Sequence, residues 1–159
     1  AITSLKEVLF NGTYTLSFEG RKQNRQGNTN TQGIIIGGNL SIIYSMLGSN
    51  TSVDTTNKIL FIEDLDEYLY HIDRMLMNMK RNGYFEKLRA LVVGGMTDMH
   101  DNSIPFGKNV EAIILDILSE YDFPIYFNYP AGHIKNNTAI IFGSQGTINS
   151  SKNMVSLSF

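Results

Sequence analysis

The stretch "KILFIEDLDEYLYHIDRMLMNMKRNG", residues 58–83, changes its periodicity partway along, and that change decides the fold class. It opens on "KILFIE" (58–63), a continuous apolar run that reads as a strand covered on both faces, as in a parallel sheet. That run ends on Glu63, and Asp64, Asp66 and Glu67 follow closely. Beyond the acids, Tyr68, Leu69, Ile72, Met75, Leu76 and Met79 recur at three- and four-residue spacing. That spacing predicts an amphipathic helix beginning near Glu67, with Asp66 as its cap and Gly83 as its C-terminal stop. A buried strand feeding directly into such a helix is the first half of a crossover unit, and it points to an α/β fold.

The rest of the chain repeats the alternation without an internal sequence repeat. Strands are expected at "TYTLSF" (13–18), "GIIIG" (33–37), "ALVVGG" (90–95), "PIYFN" (124–128), "TAIIFG" (138–143) and "MVSLSF" (154–159). Further helices are expected through "NLSIIYSML" (39–47) and after Gly107, where Val110, Ile113, Ile114 and Ile117 share a face until "DFP" ends the run. The central strands are continuously apolar, whereas "TYTLSF" and "MVSLSF" alternate and fit a half-exposed antiparallel sheet. A central parallel sheet and a smaller antiparallel one are therefore expected together.

Composition narrows the function classes. A chain of 159 residues with 42% hydrophobic and 18% charged content buries one core, so a single domain over 1–159 is expected. A net charge of −2 gives no broad positive field for nucleic acid or an anionic membrane. The local basic cluster "GRKQNRQGN" (20–28) reads as a solvated loop. The absence of cysteine excludes disulfides and thiolate metal sites. No run reaches the roughly 18 apolar residues of a membrane span. The chain opens abruptly at "AITSLKEVLFNGTYTL", as an excised fragment would; the compartment cannot be read from this terminus, and a cytoplasmic location is the expectation.

Two residues stand out chemically. Glu63 closes an apolar strand, where a carboxylate drawn into low dielectric needs a hydrogen-bond donor. His133 stands after Gly132 in "YPAGHIKNN" (129–137), a turn between apolar runs, with Asn137 four residues on. Alone, it is a solvated loop histidine. Paired with Glu63, it is the base of a triad whose carboxylate sets the imidazole tautomer. Asp98, His100 and Asp101 in "GGMTDMHDN" (94–102) offer metal-type ligands, but their spacing fits no established metal motif and the metal reading ranks last. "GGNLS" (37–41) is a weak phosphate cradle. Met75, Met77 and Met79, and His71 beside them, read as helix packing rather than a cofactor site.

Taken in order, "GGNLS" (37–41), "LFIEDLDEYLYHIDRML" (60–76), "ALVVGGMTD" (90–98), "YPAGHIKNN" (129–137) and "FG" (142–143) resemble the C-terminal half of the LD-carboxypeptidases. These are serine peptidases with a Ser-Glu-His triad, and they include the microcin-immunity peptidases. The resemblance covers roughly 33–143 and places the triad glutamate on Glu63 and the histidine on His133. Ile141, where members commonly carry proline, departs from it, as does the long polar "EGRKQNRQGNTNTQ" (19–32). It implies a swivelling β/β/α domain, no cofactor, no metal and a murein peptide substrate losing a terminal D-alanine. The nucleophilic serine and oxyanion hole would lie in an N-terminal domain absent from this chain, which alone is expected to be inactive. A homodimer is compatible with it. The alternatives are a microcin-immunity-type peptidase acting on a peptidyl-nucleotide and a non-catalytic docking module of the same fold.

Overall fold

In a computed structural model that describes residues 2–20, 25, 30–151 and 154–159, the elements run α1 (Ile2–Asn11), β1 (Thr15–Glu19), β2 (Asn30–Asn39), α2 (Leu40–Ser45), β3 (Ile59–Leu65) and α3 (Leu69–Arg81). They continue with β4 (Ala90–Thr97), α4 (Val110–Ile117), β5 (Ile125–Tyr126), β6 (Gln145–Ser151) and β7 (Met154–Ser158). The strands follow the order β1-β7-β6-β2-β3-β4-β5. Strands β2 to β5 are parallel, and β6, β7 and β1 continue the sheet antiparallel.

The long strand β2 joins the two halves. Its first residues pair antiparallel with β6, from Asn30↔Asn149 to Ile34↔Gln145, and its later ones pair parallel with β3, from Ile35↔Ile59 to Asn39↔Glu63. Alternation along the strands then builds two cores. Leu60, Ile62, Leu91 and Val93 pack with Ile72, Met75, Leu76 and Met79 of α3 and with Ile113, Ile114 and Ile117 of α4. Ile59, Phe61 and Val92 face the other way, against Phe18, Ile148, Val155 and Leu157 of the antiparallel half. The layers are therefore antiparallel strands, parallel strands, helices: the β/β/α arrangement expected from the mixed patterning.

The pairing of β3 with β4 is irregular near its end. Ile62 pairs with Val93 but Asp64 with Met96, so Glu63 alone opposes Gly94 and Gly95 of β4. This is a bulge, which bends a strand and re-aims neighbouring side chains.

Several expectations are corrected. Residues 138–143 form no strand; that part of the ladder is supplied by β6, whose inward positions are Gly146, Ile148 and Ser150. The first helix, α1, has a mostly exposed surface with Ser4 its buried residue, and it was not anticipated. Asp66 does not cap α3: it lies outside the helix at φ 61° and bonds His100, while Tyr68 occupies the cap position without a side-chain bond. Of the basic cluster 20–28, Gly20 and Arg25 are described and the rest lies outside the described residues. Arg25 is held rather than solvated, donating to Leu118 O at 2.8 Å and Phe123 O at 3.0 Å with its guanidinium over the Phe123 ring.

Candidate active site

Glu63 lies at the C-terminal end of β3 on the face shared with Ile59 and Phe61, and its side chain is 8% exposed. The donor a buried carboxylate requires is the loop after β5. Its Oε2 accepts from His133 Nδ1 at 2.7 Å and from the His133 backbone N–H at 3.1 Å. Residues 70 apart in sequence thus meet through two contacts on one oxygen.

The loop is held from both sides. Ala131 O accepts from Gly95 N at 2.9 Å, and His133 O accepts from Thr97 Oγ1 at 2.8 Å, which ties the turn to the bulged end of β4. Asn137 spans Gly132, accepting from its N–H at 3.2 Å and donating to its carbonyl at 2.8 Å. Two glycine sites make the approach possible. Gly132 sits at φ 106°, and a Cβ there would lie 2.7 Å from both Cβ and Oε2 of Glu63. At Gly94, a Cβ would lie 2.5 Å from Ala131 O. Both positions need a residue without a side chain because backbone passes directly over β3 and β4.

With Nδ1–H given to Glu63, the neutral imidazole keeps Nε2 as the nitrogen able to accept a proton. The His133 side chain is 51% exposed, so that nitrogen is open to a reacting group from outside the described chain. A buried carboxylate behind a half-exposed imidazole is an arrangement that can relay a proton between acid and base.

The other candidate residues do not join it. Asp64, 2% exposed, points to the opposite face and accepts from Asn39 Nδ2 at 2.8 Å, Ser41 N at 3.0 Å and Leu65 N at 2.9 Å. Asn39 Oδ1 in turn accepts from Ser41 Oγ and Ile42 N. "GGNLS" is therefore an internally satisfied helix cap rather than a phosphate cradle. Near Asp98, the metal-type residues separate: His100 bonds Asp66, and Asp101 accepts from the N–H groups of Asn102 and Phe106. Among the described residues no cluster of three metal-type ligands forms. His71 bonds Glu67 at 2.7 Å.

Beside the relay, the ends of β4 and β5 and the start of α4 enclose a cleft of about 750 Å³. Thr97 and Ile134, the one bonded to His133 O and the other next to His133 in the chain, line it. Thr97, the Gly94–Gly95 bulge and the clamp made by Asn137 were not assigned roles from the sequence. The amide four residues after the histidine was their one visible signal.

Residues 32–148 match the model of the LD-carboxypeptidase C-terminal domain. A probable murein peptide carboxypeptidase of Bacillus subtilis is 32% identical over 125 residues, covering 76% of this chain and 38% of the relative. The microcin C7 self-immunity protein of Escherichia coli is 35% identical over 69 residues, 43% of this chain and 20% of that protein. Among solved structures, muramoyltetrapeptide carboxypeptidase from Oxalobacter formigenes superposes with a TM-score of 0.87 at 24% identity, over 99% of this chain and 53% of that one, a likeness of fold. The chain therefore spans well under two thirds of the length of these relatives. No described helix is long and apolar enough to cross a membrane.

Proposed function

The chain belongs to the LD-carboxypeptidase C-terminal domain family, and we propose that within a full-length protein it supplies the acid and base of a Ser-Glu-His peptidase that removes terminal D-alanine from murein tetrapeptide. The single observation that supports this most is the pair of contacts from His133 to Glu63 Oε2, at 2.7 Å from Nδ1 and 3.1 Å from the backbone N–H. The serine and the oxyanion-hole donors come from a domain outside this chain. That serine approaches the exposed side of the loop, and His133 Nε2 takes its proton as it attacks the amide carbonyl. Glu63 remains ionised, holds the tautomer and stabilises the imidazolium. The same nitrogen then returns the proton to the departing D-alanine amine. Water repeats the sequence on the acyl-enzyme, with His133 again as base.

Mass spectrometry of murein tetrapeptide tests this. The full-length protein should release D-alanine, its His133→Ala variant should be drastically slower, and the 159-residue chain alone should release none. Release by the isolated chain above a His133→Ala control reveals a nucleophile within it. The likeness to the microcin C7 self-immunity protein favours one second reading, an amide bond cleaved in a peptidyl-nucleotide. Turnover of an aminoacyl sulfamoyl adenosine in preference to tetrapeptide would select it. If the parent chain carries no serine in a strand-to-helix turn, the domain is a docking module.

A further inference from the structure

His133 hangs between the two peptide planes that flank its Cα, and one of them is set by a side chain further along the loop. In the Gly132–His133 plane the C=O and N–H point in opposite directions, because a trans peptide is planar. The N–H end donates to Glu63 Oε2 at 3.1 Å. The C=O end accepts from Asn137 Nδ2 at 2.8 Å. Asn137 Oδ1 accepts from the Gly132 N–H at 3.2 Å, so the same amide also holds the plane before it, across a glycine at φ 106°. On the far side of His133, the carbonyl of the next plane accepts from Thr97 Oγ1 at 2.8 Å.

The Ile134 N–H also donates to Gly132 O, at 2.9 Å. That contact closes a three-residue turn about His133 itself and moves with it, so it ties the plane to nothing beyond the turn. Asn137 differs, because the residue after it is fastened: Thr138 donates to Pro130 O from its N–H at 2.8 Å and from Oγ1 at 2.6 Å. The amide therefore acts from a point tied back to the start of the loop. Fixing the planes on both sides of a Cα fixes the direction of its Cβ, and with it where the ring can reach. We infer that Asn137 is a positioning residue: it holds the Gly132–His133 peptide with its N–H on Glu63, and so keeps the imidazole with Nδ1 on the carboxylate and Nε2 outward. The inference rests on the peptidase reading for the reaction served, and on the loop alone for the geometry. Asn137 is exposed, so removing its amide opens no buried cavity and costs the fold little.

The test compares Asn137→Ala with Thr138→Val in the isotope-labelled 159-residue chain. The second change removes the Oγ1 bond to Pro130 from the same loop but touches neither plane beside His133. Nuclear magnetic resonance of the ring nitrogens, at a pH where the imidazole is neutral, reads the tautomer, and the His133 amide signal reads its bond to Glu63. Asn137→Ala should shift that amide and mix the two tautomers, with a melting temperature lowered by no more than about 2–4 °C. Thr138→Val should leave ring and amide undisturbed. In the full-length protein, Asn137→Ala should lower kcat for D-alanine release about tenfold to a hundredfold with KM within about twofold, since a misplaced base loses catalysis and not substrate contacts. Unchanged His133 signals in Asn137→Ala, equal changes in Thr138→Val, loss of the fold, or undiminished kcat overturns the inference. If the unaltered full-length protein releases no D-alanine while Asn137→Ala still disturbs the His133 ring, the peptidase reading fails and the positioning role stands.

Discussion

Replacing Gly132 by alanine attacks the pair where backbone passes over Glu63. The added Cβ meets Glu63 Cβ and Oε2 at 2.7 Å and Cγ at 2.8 Å, and the backbone holds φ at 106°. Glu63 cannot withdraw, since it lies on a buried strand between β2 and β4. If the loop stays in place, the strained backbone costs about 1–3 kcal/mol and the overpacking a similar amount. If it lifts, Glu63 loses both donors on Oε2, and a buried carboxylate left unpaired costs about 1–3 kcal/mol or more. The first route predicts a loss of at least about 2 kcal/mol, or about 4–8 °C in a domain of this size, and the second at least about 1 kcal/mol, or about 2–4 °C. Gly107→Ala is the control, because φ there is 82° but a Cβ would meet nothing within 4 Å. It reports backbone strain without the collision. Circular dichroism melts of both variants, with the His133 ring followed by nuclear magnetic resonance, make the comparison. A Gly132 variant that melts with the Gly107 variant and keeps an undisturbed His133 signal refutes the claim that backbone passing over Glu63 sets this geometry.

Glu63→Gln keeps the shape but loses the charge, so turnover of the full-length protein should fall severely, toward the loss of about 10⁴ seen when a triad aspartate is made an amide, while the melting temperature moves by only a few degrees; paired kinetics and melts check both. Leu76→Ala, at a fully buried position, should cost about 2–5 kcal/mol in chemical denaturation without touching the relay. Asn39→Ala removes the α2 cap and a donor to buried Asp64, and should cost about 1–3 kcal/mol by the same measurement. Burial raises the phenol pKa of Tyr126 and Tyr129 above its ordinary value. The unfolded chain then releases those protons first, so their contribution to stability is complete below about pH 10 and is lost as pH rises beyond it. Ultraviolet titration should show both rings ionising only as the protein unfolds.

The parallel half of the sheet was legible because β3 and β4 are buried on both faces and leave continuous apolar runs in sequence. Strand β6 was not. Its inward positions are Gly146, Ile148 and Ser150, so a single large apolar side chain marks it, and its outward residues are polar. The run 138–143 misled for the converse reason: Ile140 packs on a core and Phe142 reaches the Phe61 ring, yet the segment is irregular, contributing a Gly143 N–H to Ile35 O at 2.8 Å. Apolar content there reflects packing, with no ladder beneath it. At the site, the pairing of Glu63 with His133 could be read because their residue types are conspicuous at the ends of apolar runs. The bulge at Gly94–Gly95 could not, since it exists only in the register between two strands. Thr97 and Asn137 likewise acquire their roles from where the loop comes to rest.

Whether Glu63 and His133 serve a serine carried elsewhere in the same protein is tested most directly by D-alanine release from murein tetrapeptide. It is measured side by side for the full-length protein, its His133→Ala variant and the 159-residue chain. Rapid release by the first, a drastic loss in the second and none in the third is the expected pattern. Undiminished release by the His133→Ala variant would contradict it.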